Sequence, residues 1–255
     1  NPEFLREGTA VEDFFKPDRI VIGGNDSSKV QKLKDLYSNF EAEIIITDPI
    51  SSQLIKYLAN TYLPMRLSFV NEAARLVKSS GGNLDDVLKG VGMDSRIGQH
   101  YFRPSPAWGG SCFPKDVVEV NNFYDSEEVN LPLIANIIES NKIQTKWTAN
   151  MLKSIHNEKK LNGIILVGAA FKEDTDDLRN SPTIDIYNEL LAENMNTMIY
   201  DDLIKSEEYL SIEDFEKLEG PHLIALMYPV KENLMSKINS IVSNTNSFLY
   251  TPWQL

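Results

Sequence analysis

With 255 residues, 42% of them apolar and 24% charged, the chain has material for about two domains of ordinary size, and its composition excludes a disordered or fibrous protein. The 37 acidic side chains outnumber 25 basic ones, a formal charge of −12, which argues against nucleic acid as a partner and leaves room only for a local basic pocket taking a small phosphorylated ligand. No run of roughly 18 apolar residues occurs and the opening NPEFLREGTAVEDFF is charged where a signal peptide is apolar, so no membrane partner is expected and the cytoplasm is the default location.

The sequence starts at Asn1 rather than Met and reads as a fragment of a longer polypeptide. RIVIG at Arg19–Gly23 predicts a short buried strand closed by a Gly-Gly-Asn-Asp turn. Ser27 or Ser28 then caps a helix running to about Phe40, and Ala42–Thr47 forms a second strand. Strand, helix and strand, both strands apolar, form the edge of an α/β domain.

Asp48 caps and Pro49 opens a helix of about thirty residues, whose apolar set Leu54, Tyr57, Leu58, Leu63, Leu67, Val70, Ala74 and Leu76 keeps a helical period until Gly81 and Gly82 stop it. That is longer than a small domain needs and suits a spine between domains or subunits, with a bend at Pro64. Asn83–Arg96 reads as a short helix and turn, and Gly98–Cys112, with Pro104 and Pro106, as a loop. A helix resumes near Pro114 with Val117, Val118, Val120 and Phe123 as its apolar set. Another runs from about Pro132 to Ile155 with Ile134, Ile137, Ile138, Ile143 and Trp147.

A new unit opens near Leu161. Strands are predicted at Gly163–Gly168, Thr197–Tyr200, His222–Met227 and Ser247–Tyr250, with helices at Ser181–Ala192 and Glu232–Val242, an alternation that predicts a parallel three-layer α/β domain. Ligands in such a sheet bind beyond the strand carboxyl ends, here Ala169–Arg179 and the segment after Met227. No GxGxxG follows either strand that could carry one, so the dinucleotide fingerprint is absent. The predicted organisation is residues 1–48 as the end of an α/β nucleotide-binding domain, 49–157 as a helical middle domain on the long central helix, and 158–255 as a Rossmann-like three-layer domain.

Cys112 is the one cysteine, which excludes an intrachain disulfide and a cysteine-based metal site. It follows Gly109, Gly110 and Ser111 and precedes Phe113, Pro114, Lys115 and Asp116, so it sits ahead of a helix amino terminus. There the dipole and Lys115 favour a thiolate, and adjacent glycines permit close approach of a ligand. Lys56 and Asn60 share a helix face, and a solvated polar side explains them unless a thiol attacks a carbonyl nearby, when ammonium and amide could stabilise the oxyanion. Glu3 and Glu7 lie four apart, on a helix or on a strand-to-turn segment. Arg96 and Arg103 before Cys112, and Lys172 and Arg179 around EDTDD, offer cations at two loops, which suits a diphosphate. His100, His156 and His222 lack ligand or triad spacing, so no metal is expected.

The stretches NPEFLREGTAVEDFFKPDRIVIG, LIKYLANTYLPMRLSFVNE, WGGSCFPKDV and GAAFKEDTDDLRNSPTIDI resemble, in order, those of the UDP-glucose/GDP-mannose dehydrogenase family. NPEFLREG and FPKD are most similar to its UDP-glucose 6-dehydrogenase branch, with the GDP-mannose branch second. The resemblance implies oxidation of a nucleotide-sugar alcohol to a carboxylate with two NAD, through a thiohemiacetal and a thioester. It makes Cys112 the nucleophile, Lys56 and Asn60 the oxyanion holders, and Glu7 and Asp116 the groups that handle water and protons. It sets Glu3, Phe4, Leu5, Arg96, Arg103, Gly109 and Lys172 on the UDP-sugar side and Glu7, Lys115 and Arg179 on the NAD side. It reads the long helix as the seam of a homodimer. The family's amino-terminal GxGxxG is absent, RPSPAWGG replaces a glycine-rich aromatic loop, and Tyr228 stands where Trp is common. An inactive fragment that only dimerises and binds sugar nucleotide remains the alternative.

Overall fold

The computed structural model describes residues 1–126 and 129–252, and these divide into two compact units, Asn1–Tyr62 and Leu63 onward. In the first, helix α1 (Ala10–Phe15) precedes strand β1 (Arg19–Gly23), helix α2 (Ser27–Leu36) and strand β2 (Glu43–Thr47). The strands pair in parallel, Arg19 opposite Glu43 through Gly23 opposite Thr47. Ile20, Val21 and Ile22 are buried, whereas Ile46 of β2 is 49% exposed. The short α1 was not foreseen. It is held by Asp13, whose carboxylate accepts from the Arg6 backbone at 2.8 Å and the Arg6 guanidinium at 3.0 Å, and Phe14 and Phe15 meet Phe40 beyond the end of α2. The cap of α2 is Asp26 rather than Ser27 or Ser28: its Oδ1 accepts from the Ser28 and Lys29 N–H at 3.0 and 3.3 Å. A carboxylate one residue earlier reaches both orphan donors, which a serine inside the first turn cannot do.

Helix α3 (Pro49–Ser80) runs 32 residues, with Asp48 accepting from the Ser51 N–H at 2.9 Å and Pro64 inside it. Gly81 ends it at φ +71°, where Gly82 donates to the Val77 carbonyl at 3.1 Å. In the second unit Val70, Ala74 and Val77 of α3 pack on Leu84 and Leu88 of α4 (Leu84–Gly92) and on Phe102. Residues 93–112 contain neither helix nor strand. Helix α5 (Phe113–Ser126) follows, with Val117 and Val120 buried but Val118 and Phe123 exposed.

The single helix expected from Pro132 is two, α6 (Pro132–Ala135) and α7 (Ile137–Lys159). Asn136 breaks it at φ −91°, ψ −3°, with its amide donating to the Pro132 carbonyl at 2.6 Å, so a local side-chain bond competes with the helical one. Ile143 of α7, expected in the core, is 49% exposed.

The last elements are β3 (Ile164–Val167), α8 (Pro182–Ala192), β4 (Thr197–Tyr200), the unforeseen α9 (Ile212–Glu216), β5 (Leu223–Leu226), α10 (Glu232–Thr245) and β6 (Phe248–Tyr250). The sheet order is β4-β3-β5-β6 and every pair is parallel. Ile164, Leu166, Ile199 and Leu223 face Leu152, Ile186 and Leu190 of α7 and α8. Ile165, Val167, Ile224 and Leu226 face Phe215, Leu234 and Ile238 of α9 and α10. Coverage of both faces explains the unbroken apolar strands, each fully buried side chain contributing roughly 1.5–3 kcal/mol relative to exposure. Chain direction across the sheet reverses between β3 and β5, which makes their carboxyl ends a topological switch point.

Candidate active site

In the first unit, residues 1–6 have no regular structure and Glu7 lies on the turn before α1, so Glu3 and Glu7 do not share a helix. Lys56, one turn before Asn60 on α3, donates to the Glu3 carbonyl at 2.6 Å and to its carboxylate at 3.2 Å. The other Glu3 oxygen accepts from the Leu5 N–H at 2.7 Å, and Phe4 lies under the Arg19 guanidinium at 3.8 Å and within 5.5 Å of the Lys56 ammonium. The Lys56 side chain is only 18% exposed, so it belongs to a built cluster and not to a solvated helix side.

The second unit holds Cys112 on a tightly tethered loop. Asn71 of α3 accepts from the Ser105 N–H at 2.8 Å, and α7 supplies Gln144 to the Ser105 carbonyl at 2.9 Å and Thr148 to the Pro106 carbonyl at 2.8 Å. Asn141 brackets Trp108, accepting from its N–H at 3.0 Å and donating to its carbonyl at 2.7 Å, while the indole N–H donates to Ser68 at 2.9 Å. The sequence shows the loop but none of the side chains that tether it. Residues 104–110 are largely buried and join no helix or strand, so the carbonyls of this loop need side-chain partners.

Cys112 is exposed, and its carbonyl accepts from the Asp116 N–H at 2.9 Å to open α5. Its sulfur lies 3.7 Å from the Ser111 hydroxyl. The Lys115 ammonium is 2.7 Å from Asp116, whose side chain is buried, so the two residues assigned to cofactor and proton handling form an ion pair on the first turn.

The glycines before the cysteine serve the protein's own packing. A Cβ at Gly109 would fall on the Asn180 carbonyl and 2.9 Å from Pro182, and Gly110, at φ +90°, would put one 2.9 Å from the Phe171 ring. The Asn180 amide donates to the Gly110 carbonyl at 3.1 Å. On the side where a Cβ would stand, the close approach to these glycines is made by Asn180, Pro182 and Phe171.

At the switch point, buried Asp201 joins three loops. One carboxylate oxygen accepts from the Ala169 N–H at 2.7 Å and the Tyr228 hydroxyl at 2.9 Å, the other from the N–H groups of Leu203 and Ile204, both at 2.8 Å. Tyr228 lies across Gly168, and burial together with the Asp201 charge pushes its hydroxyl well above the usual tyrosine range. Ser181 donates to the Ala169 carbonyl at 2.6 Å.

The cations expected around a diphosphate are dispersed. Arg96 is bidentate on Asp94 at 3.0 and 2.6 Å, and Arg179 on Asp177 at 2.9 and 2.7 Å, which holds both aspartates below their ordinary range. A phosphate would have to displace those carboxylates. Lys172 lies 5.7 Å from the Phe171 ring, and Lys231 pairs with Asp174 at 2.8 Å. Arg103 lines a separate cavity of about 400 Å³ with Asp85, Leu88, Lys89, Gln99 and Phe102.

Among the described residues no group of His, Cys, Asp or Glu is arranged to hold a metal, and no helix is long and apolar enough to cross a membrane. The amino terminus of α2, at the end of β1, is closed by the Asp26 carboxylate, so that helix end offers no open phosphate cradle.

Three sequence profiles described as UDP-glucose/GDP-mannose dehydrogenase family match the chain: the NAD binding domain at 1–41, the central domain at 50–143 and the UDP binding domain at 165–246. Two UDP-glucose 6-dehydrogenases are similar to it, from Rickettsia felis (39% identity, 89% of this chain, 50% of the relative) and Rickettsia conorii (37%, 100% of this chain, 58% of the relative). The chain thus spans half to three fifths of the length of these relatives. A UDP-glucose dehydrogenase structure from the hyperthermophilic archaeon Pyrobaculum islandicum superposes with a TM-score of 0.80 at 32% identity, over 89% of this chain and 55% of that one. The structure of a UDP-D-ManNAc dehydrogenase from Pyrococcus horikoshii shares the fold, with a TM-score of 0.82 at 22% identity over 99% of this chain and 60% of that one.

Proposed function

The chain belongs to the UDP-glucose/GDP-mannose dehydrogenase family, and from this premise we propose that it is the cysteine-bearing part of an enzyme that oxidises UDP-glucose at C6 to UDP-glucuronate. NAD, as hydride acceptor, supplies the two oxidations. The chain's own chemistry is covalent. The Cys112 thiolate adds to the C6 aldehyde and gives a hemithioacetal whose oxygen Lys56 and Asn60 stabilise; oxidation of that adduct leaves a thioester, and water cleaves it to carboxylate and free thiol. Glu7 and Asp116 handle the water and its proton. Glu3, Phe4, Leu5, Arg96, Arg103, Gly109 and Lys172 serve the UDP-sugar, and Lys115 and Arg179 the cofactor side.

The observation that carries this reading is the position of Cys112: an exposed thiol immediately before the first residue of α5, on a loop tied down from both sides. The reading divides the chain at 48 and 157 into the end of an NAD-binding domain, a central domain and a UDP-sugar-binding domain. It also makes α3 the seam of a homodimer. Leu58, Tyr62, Phe69 and Leu76, at spacings of four and seven on one helix, are 49, 53, 59 and 66% exposed, a stripe that a partner helix would cover.

The test is protection of the single thiol. UDP-glucose should slow alkylation of Cys112 by iodoacetamide in this chain and give heat on calorimetric titration, with GDP-mannose the weaker ligand. In the intact polypeptide, Cys112→Ser should stall carboxylate formation. Absence of both heat and protection, or undiminished turnover by the serine variant, would sink the proposal.

A further inference from the structure

The β3–α8 loop, 168 to 181, is closed on itself: Phe171 N–H donates to the Asp177 carbonyl at 3.3 Å, and Ser181 N–H to the Leu178 carbonyl at 3.1 Å. Phe171 and Asn180 stand at its two ends with Lys172 between them, and both reach the Cys112 loop. Phe171 fills the space beside Gly110, while Asn180 sets its own carbonyl against Gly109 and its amide on the Gly110 carbonyl. Asn180 holds a left-handed backbone at φ +50°, which Asn tolerates better than most residues. The backbone two residues before the thiol is therefore gripped by the same loop that carries the candidate UDP-sugar lysine.

We propose that Asn180 is a positioning residue that, opposed by Phe171, latches the Cys112 loop to the nucleotide-binding end of the β3 sheet. Asn141 fixes the backbone only as far as Trp108, and beyond it Gly109 and Gly110 gain freedom without the latch, because glycine is the residue with the most conformational freedom. With it, occupancy of the β3–α8 loop and the placement of the thiol are mechanically linked. A displacement of about 1 Å at a reacting group can cost on the order of a hundredfold in rate, so such a link has catalytic weight. The catalytic meaning of the latch rests on the function proposed above; its existence does not.

The test uses the full chain, in which Cys112 is the one cysteine and the alkylation signal has no background. Asn180→Gly and Asn180→Asp both accept the left-handed backbone and both remove the amide donor. Asn194→Gly, at another left-handed asparagine (φ +59°), is the control away from the latch. Loss of one ordinary hydrogen bond predicts that iodoacetamide reacts with Cys112 roughly threefold faster or more in both Asn180 variants, with the Asn194 variant at the parental rate. A smaller change in either Asn180 variant, or an equal rise in the Asn194 variant, overturns the latch. UDP-glucose titration of the parent chain is the separate arm: no heat there refutes the nucleotide reading, while the ligand-free rates still decide the latch.

Discussion

Asp201→Asn isolates the charge and acceptor count of the residue that joins the loops at the switch point, because the amide keeps the shape of the carboxylate. The native group accepts four hydrogen bonds, two on each oxygen, from Ala169, Tyr228, Leu203 and Ile204 at 2.7 to 2.9 Å. An amide has one acceptor oxygen, so in either orientation two donors face its NH₂. Hydrogen bonds to a charged group are worth about 1.5–3 kcal/mol each, which bounds the loss at roughly 3–6 kcal/mol. Tyr228 can turn its hydroxyl and the Leu203–Ile204 turn can open to water, which places the expected destabilisation near the lower end, about 3 kcal/mol. Tyr228→Phe removes one of these bonds and should cost about 1.5 kcal/mol, and the double variant should lose less than the sum, because both changes delete the same contact. Urea unfolding at pH 7, followed by far-ultraviolet circular dichroism, reads each value. An Asp201→Asn protein within about 1 kcal/mol of the parent, or strictly additive losses, would refute the assignment of Asp201 as the joint.

Gly110→Ala must place a methyl group 2.9 Å from the Phe171 ring at φ +90°, and backbone strain plus overpacking should cost about 2–4 kcal/mol in the same unfolding assay. Alkaline pH should unfold the second unit: burial raises the hydroxyl pKa of Tyr200, Tyr228 and Tyr250, so folding is unaffected below the unfolded value of about 10 and weakens above it, by about 1.4 kcal/mol per pH unit for each tyrosine. Absorbance at 295 nm should show those tyrosinates forming only together with loss of circular dichroism. Replacing exposed Phe69 and Leu76 together by Glu should keep the far-ultraviolet circular dichroism of the parent yet yield monomers in sedimentation velocity, if α3 is a dimer seam.

What the sequence revealed follows from where burial is symmetric. Ile164–Val167 and Leu223–Leu226 are covered on both faces, so they read as unbroken apolar runs, and the Ser181-Pro182 opening of α8 and the Asp48-Pro49 opening of α3 are local signals that nothing distant overrides. Short α1 and α9 carry too little periodicity to be seen. Asn136 breaks a helix through a bond four residues back that no apolar pattern records.

The polar tethers were hidden for a different reason. Asn71, Asn141, Gln144 and Thr148 look like ordinary helix polar positions until the loop carbonyls and N–H groups they satisfy are in place. The same limit acts at Gly109 and Gly110. Sequence supports the inference that something comes close to this backbone, since two glycines in a row cost conformational entropy on folding that must be recovered. It does not say what comes close. The occupant is Asn180, Pro182 and Phe171, on a distant stretch of the chain, and this changes the expectation for Cys112: the glycines make room for a structural contact, so lengthening either one by a methyl group should disturb the position of the thiol even when no ligand is bound.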